Sequence, residues 1–246
     1  MRQKIDCFLA WESTEILADT IAQLRRSTVV RHIFLLVSKE TEVEAPQDCT
    51  VLVVDQLQSS QYVMQIAEHA VAAYTLLSMK PTPVTMGATA LERMLLVAED
   101  TDAAMVYSDR WQMEEGVRKT HPVIDYQEGA LRNDFDFGSL MLVRTSLIHQ
   151  YATSDHERDY RWAGFYDLRL FLSREGTLFH LNEYLYTEEE TDLRASGVKQ
   201  FDYVNPANRE VQIEMEQACT AHLRQIGALV DTSQYQEVDF DVRIHL

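Results

Sequence analysis

The sequence lacks the short signatures that tie a chain to phosphate or to nucleophilic chemistry. There is no G-x-G-x-x-G and no G-x-x-x-x-G-K-[S/T], so the glycine turns that cradle phosphate in dinucleotide folds and P-loops are missing. No G-x-S-x-G elbow presents a serine, and the eight histidines form no H-E-x-x-H pair. Cysteine is scarce. Cys7, Cys49 and Cys219 are odd in number, far apart and without a C-x-x-C pair, which speaks against a disulfide framework or a zinc knuckle and fits a reducing compartment. Long apolar runs are absent: residues 7–11 are too short for a signal peptide, and no unbroken stretch reaches membrane-spanning length. A soluble cytoplasmic protein, or a soluble module of a larger one, is expected. Positive charge is the last shortage. With 22 basic against 39 acidic residues the net charge is -17, which repels a nucleic-acid backbone and an anionic membrane surface. A nucleotide ligand would need a local cation.

What the chain does have is core. Its 246 residues, 46% hydrophobic, suffice for one large α/β domain or two small ones. The stretch 70–109 organises the rest. Residues 74–77 form a short apolar run ending at Lys80-Pro81, and Pro81 and Pro83 forbid a helix there, so a buried strand that ends in a loop is predicted. Ala88, Leu91, Leu95 and Ala98 then recur at helical spacing, with Glu92 and Arg93 on the wet side. Residues 103–107 are apolar again and end in Ser108-Asp109-Arg110. Strand, helix, strand predicts a parallel crossover, and ligands of such sheets bind beyond the carboxyl ends of the strands. Loops 78–83 and 108–112 are therefore candidate site loops.

The flanking chain reads similarly. Strands are predicted at 5–10, 32–37, 50–54, 74–77, 103–107 and 138–143, the early ones rich in Val, Ile and Leu with little alternation, as strands covered on both faces are. A helix to about Arg26 buries Leu17, Ile21 and Leu24, and Ser59-Ser60 caps a second one carrying Val63, Ile66 and Ala70. After Asp109 come a charged hairpin around Gly116, a polar loop over 125–136, and a short helix from Thr145 to Gln150. A helix burying Leu168, Phe171 and Leu172 follows and is stopped by Gly176. Short strands at 178–181 and 184–186 precede a polar loop to Asn208 and a helix over 211–226. The expected architecture is α/β, a mostly parallel central sheet with helices on both faces, as a single domain over 1–230 with 231–246 as a tail or linker.

Four phrases, AAYTLLSMKP, AAMVYSD, FGSLMLVR and GFYDLRLFLSREGTLFHLNEYLYTEEE, together with the order of elements, resemble the bacterial family 2 glycosyltransferases over roughly residues 5–197. The resemblance implies the GT-A nucleotide-diphospho-sugar transferase fold. In that family an acidic pair, usually Glu-Asp, opens a helix and supplies the catalytic base. Asp167 matches its second member and Tyr166 stands at the first. A carboxylate there would take the proton of an acceptor hydroxyl as it attacks the anomeric carbon; the competing reading of Asp167 is a helix N-cap. The family's other motif is Asp-x-Asp at the end of the fourth strand, whose carboxylates hold Mg or Mn against the diphosphate. Here the residues are Ser78-Met79-Lys80-Pro81, which offer no carboxylate, so no metal site is expected. Lys80 reads either as an ammonium replacing that metal or as a solvated lysine in a Pro-flanked turn.

The nucleotide pocket implied by the resemblance draws on Trp11 and Glu12 after the first strand, Ser38 after the second, Ser78 and Lys80 after the fourth, and Asp109 as one available carboxylate. Arg194 matches the basic residue of a loop that closes over the nucleotide, or else balances Glu188 to Glu190. Asp134 and Asp136, like Asp239 and Asp241, spell Asp-x-Asp away from the expected strand end and read as solvated turn residues, and His180 reads as a satisfied core histidine. The implied function is transfer of a sugar, with inversion, from a nucleotide-diphosphate sugar to a glycan or lipid-linked acceptor hydroxyl, as in surface polysaccharide synthesis. The missing Asp-x-Asp also supports a degenerate domain that binds or scaffolds beside a second glycosyltransferase domain.

Overall fold

The computed structural model describes residues 4–11, 14–38, 46–154, 159–189, 209–231 and 233. Glu12, Arg194, Asp239 and Asp241 lie outside the described residues, as does nearly all of the expected tail. In chain order the elements are β1 (Ile5–Ala10), α1 (Thr14–Arg26), β2 (Val30–Ser38), β3 (Cys49–Val54), α2 (Ser60–His69), β4 (Tyr74–Ser78) and β5 (Val84–Met86). There follow α3 (Ala90–Thr101), β6 (Met105–Glu114), β7 (Val117–His121), β8 (Leu140–Arg144), α4 (Thr145–Thr153), α5 (Gly164–Glu175), β9 (Leu178–Glu189) and α6 (Arg209–Gln225). No helix among the described residues is long and apolar enough to cross a membrane.

The strands form one sheet in the order β3-β2-β1-β4-β8-β6-β9-β5, with β7 paired to β6 as a hairpin. β1 to β4 are mutually parallel, β8 is antiparallel to both β4 and β6, and β9 is parallel to β6. β1, β2, β3, β4, β6 and β9 thus share one direction, so the sheet is mostly parallel. β4 and β6 have the expected parallel sense, but β8 lies between them.

The early strands show why apolar runs without alternation mark a covered sheet. Within β1, Ile5, Cys7 and Leu9 join the core on one face while Phe8 joins the core on the other. Within β2, Ile33, Leu35 and Val37 face one way and Phe34 and Leu36 the other. Leu17, Ile21 and Leu24 of α1 and Leu91, Met94 and Leu95 of α3 cover the first face. Tyr62, Val63 and Ile66 of α2, Leu147, Ile148 and Tyr151 of α4, and Leu168, Phe171 and Leu172 of α5 cover the second. Each such burial stabilises by about 1.5–3 kcal/mol before entropy is counted. α6 packs outside α5 through Ala218.

Three departures follow from tertiary pairing. Residues 108–112 are not a loop: β6 runs on to Glu114 because β9 pairs with it as far as Glu189. The two short strands expected at 178–181 and 184–186 are one strand, bulged where Leu181 pairs with Ser108 and Tyr184 with Asp109. β5, inside the Pro-rich stretch, is held by pairing with β9 and by Thr20, whose side chain bridges the Val84 N–H and C=O at 3.0 Å each.

Ser59 caps α2 as expected, its Oγ accepting from the Tyr62 N–H at 3.1 Å. α5 starts at Gly164 because the two helix N-termini touch: a Cβ there would lie 2.1 Å from the Ser60 nitrogen. The N-cap of α5 is Ala163, so Asp167 sits within the first turn and does not cap the helix.

Candidate functional site

The connection order places a topological switch between β1 and β4, since β2 and β3 extend the sheet to one side of β1 and β4 begins the other. Open α/β sheets bind ligands in the crevice outside the carboxyl ends of the strands at such a point. Here those ends are Trp11 and Ser78. Trp11, expected to contact the nucleotide, is only 6% exposed and belongs to the core, and its N–H donates to Leu36 O at 2.9 Å. Ser38 closes β2 opposite Val54. Ser78 closes β4 opposite Leu140 and is buried. Beyond it, Tyr62 donates to Met79 Sδ at 2.9 Å, which seats the turn against α2. Lys80 comes next, half-buried, with no hydrogen bond or ion pair to any described residue.

A polar cluster missed by the sequence reading stands beside this turn. Because β8 runs antiparallel to β4, the residues entering β8 arrive at the carboxyl end of β4, and β6 and β9 pass alongside. At their junction Arg110 Nε donates to Glu188 Oε1 at 2.7 Å, while Nη1 and Nη2 donate to Asp136 Oδ1 at 3.3 Å and Oδ2 at 3.1 Å. The Arg110 and Glu188 side chains are 4% and 5% exposed, that of Asp136 44%. Ser139 Oγ also donates to Glu188, and the Ser139 N–H donates to the Tyr186 hydroxyl at 2.8 Å. Gly138 permits this approach: its φ is +77°, and an added Cβ would lie 2.2 Å from the Tyr186 hydroxyl oxygen.

Asp136 is therefore no free turn residue. Burial would raise its pKa, but the Arg110 guanidinium, the Gly138 N–H and the Lys80 ammonium together hold it below the usual carboxylate range. His121 Nε2 approaches it at 3.3 Å. For Arg110, burial works against the charge, and Glu188 and Asp136 outweigh it. Asp134, in contrast, pairs with Arg132 on the surface.

Asp109 points elsewhere. It is 1% exposed, and its Oδ1 accepts from the Val123 N–H at 2.8 Å and contacts His180 Nε2 at 2.9 Å. His180 also meets Asp125 at 2.7 Å and stacks on Tyr107, as a satisfied core histidine does. The carboxylate expected to face a nucleotide instead ties the 122–125 segment to β6.

Asp167 lies in the helical layer. Tyr151 donates to its Oδ2 at 2.8 Å, and burial followed by the charge of Asp167 pushes the Tyr151 hydroxyl far above the usual phenol range, so it remains a donor. Tyr166, at the place of the family's first acid, is buried and donates to Leu131 O at 2.5 Å. Its ring covers the Arg169 guanidinium at 4.8 Å, and Arg169 donates to Ala130 O and Arg132 O. α5 thereby fastens the loop that carries Asp136. The structure does not join Asp167 to Lys80 by any hydrogen bond or ion pair among the described residues.

The divalent cation usual in the family does not fit these residues. A hydroxyl, a thioether, an ammonium and a proline are not a hard-cation ligand set, and the nearby Asp136 is taken up by a guanidinium. Among the described residues no three His, Cys, Asp or Glu side chains gather as such a set.

The fold is that of the GT-A nucleotide-sugar transferases. The chain is similar to S. aureus TarS 1-349 in complex with UDP-GlcNAc, with a TM-score of 0.61 and 9% identity over 94% of this chain and 68% of that one. It is also similar to mannosyl-3-phosphoglycerate synthase from Rubrobacter xylanophilus, with a TM-score of 0.58 and 13% identity over 95% and 78%. A mycobacterial protein gives 0.55 and 9% over 94% and 76%. No protein-family model matches the sequence, and no curated protein does.

Proposed function

We propose that this chain is a glycosyltransferase domain of the family 2 kind, which binds a nucleotide-diphosphate sugar at the carboxyl ends of β1 and β4 with Lys80 facing the diphosphate. The observation that carries the reading is the position of Lys80: an ammonium at the strand end beside the topological switch, with no hydrogen bond or ion pair to a described residue, in a chain of net charge -17. UDP-GlcNAc in one structural neighbour supports the donor class. As the bond from the anomeric carbon to the diphosphate oxygen breaks, negative charge gathers on the leaving group, and a fixed ammonium stabilises it. The acceptor hydroxyl attacks the opposite face, inverting the centre, and its proton passes to Asp167, whose carboxylate Tyr151 orients. The acceptor is a glycan or lipid-linked glycan in polysaccharide synthesis at the cytoplasmic side.

The test is a melting-point screen of nucleotide sugars in EDTA, since a ligand that binds only the folded state raises Tm. UDP-GlcNAc or a related donor should raise it, Lys80→Ala should remove the rise without changing the unliganded Tm, and Asp167→Asn should keep the rise while turnover falls by ~10²-fold. No rise with any donor at millimolar concentration would refute the reading. A second reading, a degenerate binding or scaffolding domain, draws on Tyr166 standing buried where the family has an acid. It predicts that Asp167→Asn alters nothing but stability.

A further inference from the structure

Lys80 supplies one positive charge where a divalent cation would supply two. The second charge is already in place. We propose that Arg110 is the other cation of the donor site, and that Asp136 is the carboxylate the diphosphate displaces from it; this rests on the nucleotide-sugar reading above and names the residues that do the metal's work.

The guanidinium is held from two sides that differ in kind. On the inner side Nε bonds Glu188 at 2.7 Å, both side chains are nearly sealed from water, and Ser139 holds the second Glu188 oxygen. That contact fixes the direction of the fork. On the outer side Nη1 and Nη2 meet Asp136 at 3.3 and 3.1 Å, longer than the inner bond, through a side chain 44% exposed. Two parallel N–H donors match the oxygens of a phosphate as well as those of a carboxylate, so Asp136 occupies the place and geometry of a phosphate group. Ser78 pairs with Leu140, so the turn that carries Lys80 and the 136–139 segment that enters β8 meet at the same end of the sheet, and the Lys80 charge adds to that of Arg110 in lowering the Asp136 pKa. A diphosphate there is more negative than the carboxylate it replaces and meets both cations. Asp136, once displaced, has His121 already at 3.3 Å. Arginine keeps its charge at any working pH, so this site needs no metal to remain cationic.

If Asp136 competes with the ligand, neutralising it must strengthen binding. Calorimetric titration of UDP and of inorganic pyrophosphate in EDTA, into the parent protein, Asp136→Asn, Arg110→Lys and Lys80→Ala, tests this. Asp136→Asn keeps an oxygen for the Gly138 N–H and should bind both ligands roughly two- to fivefold more tightly, the worth of one half-exposed ion pair. Arg110→Lys keeps a charge but loses the fork and should bind at least about tenfold more weakly. If Arg110→Lys does not fold, the Asp136→Asn titration decides alone. Parent protein that binds UDP while Asp136→Asn binds it equally or less tightly overturns the role of Arg110 and leaves the Lys80 reading standing. No binding by the parent protein or any variant overturns both.

Discussion

The two halves of the sheet are built on different principles. From β3 through β4 the strands are mostly apolar and most side chains find a core on their own face; the buried charge there is Asp6, held near the amino end of β1, away from the crevice, by Arg31 and the Val71 and Ala72 N–H groups. From β8 through β9 the strand interiors carry Arg110, Glu188 and Asp109, sealed from water and satisfied by one another or by His180 and Val123. The first half is a scaffold whose packing could be changed residue by residue. The second places charge inside the sheet next to the crevice, and such charge is costly unless its partners stay in position.

The largest expected effect separates the halves directly. Leu35→Ala, in the apolar half, should cost about 2–5 kcal/mol through lost transfer energy and a cavity. Glu188→Ala, in the polar half, should cost about 3 kcal/mol by leaving a buried guanidinium short of a partner, yet the paired change Arg110→Met with Glu188→Leu should be close to neutral. Urea unfolding of the three variants checks this. A Glu188→Ala variant as stable as its parent would mean that the polar half is held by packing after all.

The same contrast explains what the sequence could reveal. β1, β3 and β4 were legible to within a residue because unbroken apolar runs, bounded by Lys80-Pro81 or by cap residues, carry their own signal. Lys80 was legible as a candidate for the same reason, since it follows a strand end. The Arg110 cluster was not, because its members are brought together by pairing across long separations: Arg110 and Glu188 are 78 residues apart, Arg110 and Asp136 26 apart. A polar residue inside a strand looks locally like the end of that strand, which is why 108–112 read as a loop. The available hint was the bracketing of Arg110 by apolar or aromatic residues at Tyr107 and Trp111, with acidic residues recurring near each neighbouring strand. The competing cap reading of Asp167 fails for a different reason: Gly164, needed for close approach to Ser60, starts the helix three residues earlier.

A smaller effect sharpens the contrast at the outer contact of α5 with α6. His222 is 5% exposed and its Nδ1 accepts from Arg174 at 2.7 Å; burial first, then Arg174 and Arg169, push its pKa down to about 4. The folded protein keeps this imidazole neutral while the unfolded chain protonates it near pH 6.5. The contribution is therefore complete above pH 6.5 and is lost as pH falls toward 4. Across that window the parent should lose on the order of 1 kcal/mol more than His222→Gln, after allowance for solvent screening. Parallel stability profiles for the two proteins would remove His222 from the account.

The central claim is that a nucleotide-diphosphate sugar binds where β1 and β4 end, against Lys80 and Arg110, without a metal. Amide chemical shifts followed by NMR as UDP-GlcNAc is added in EDTA test it most directly. The account predicts saturable shifts confined to residues 10–11, 78–82, 110 and 136–139, abolished together in Lys80→Ala. Shifts that cluster at the opposite ends of the strands, around Val29, Ala73 and Arg144, or that appear only when Mn²⁺ is present, would contradict it.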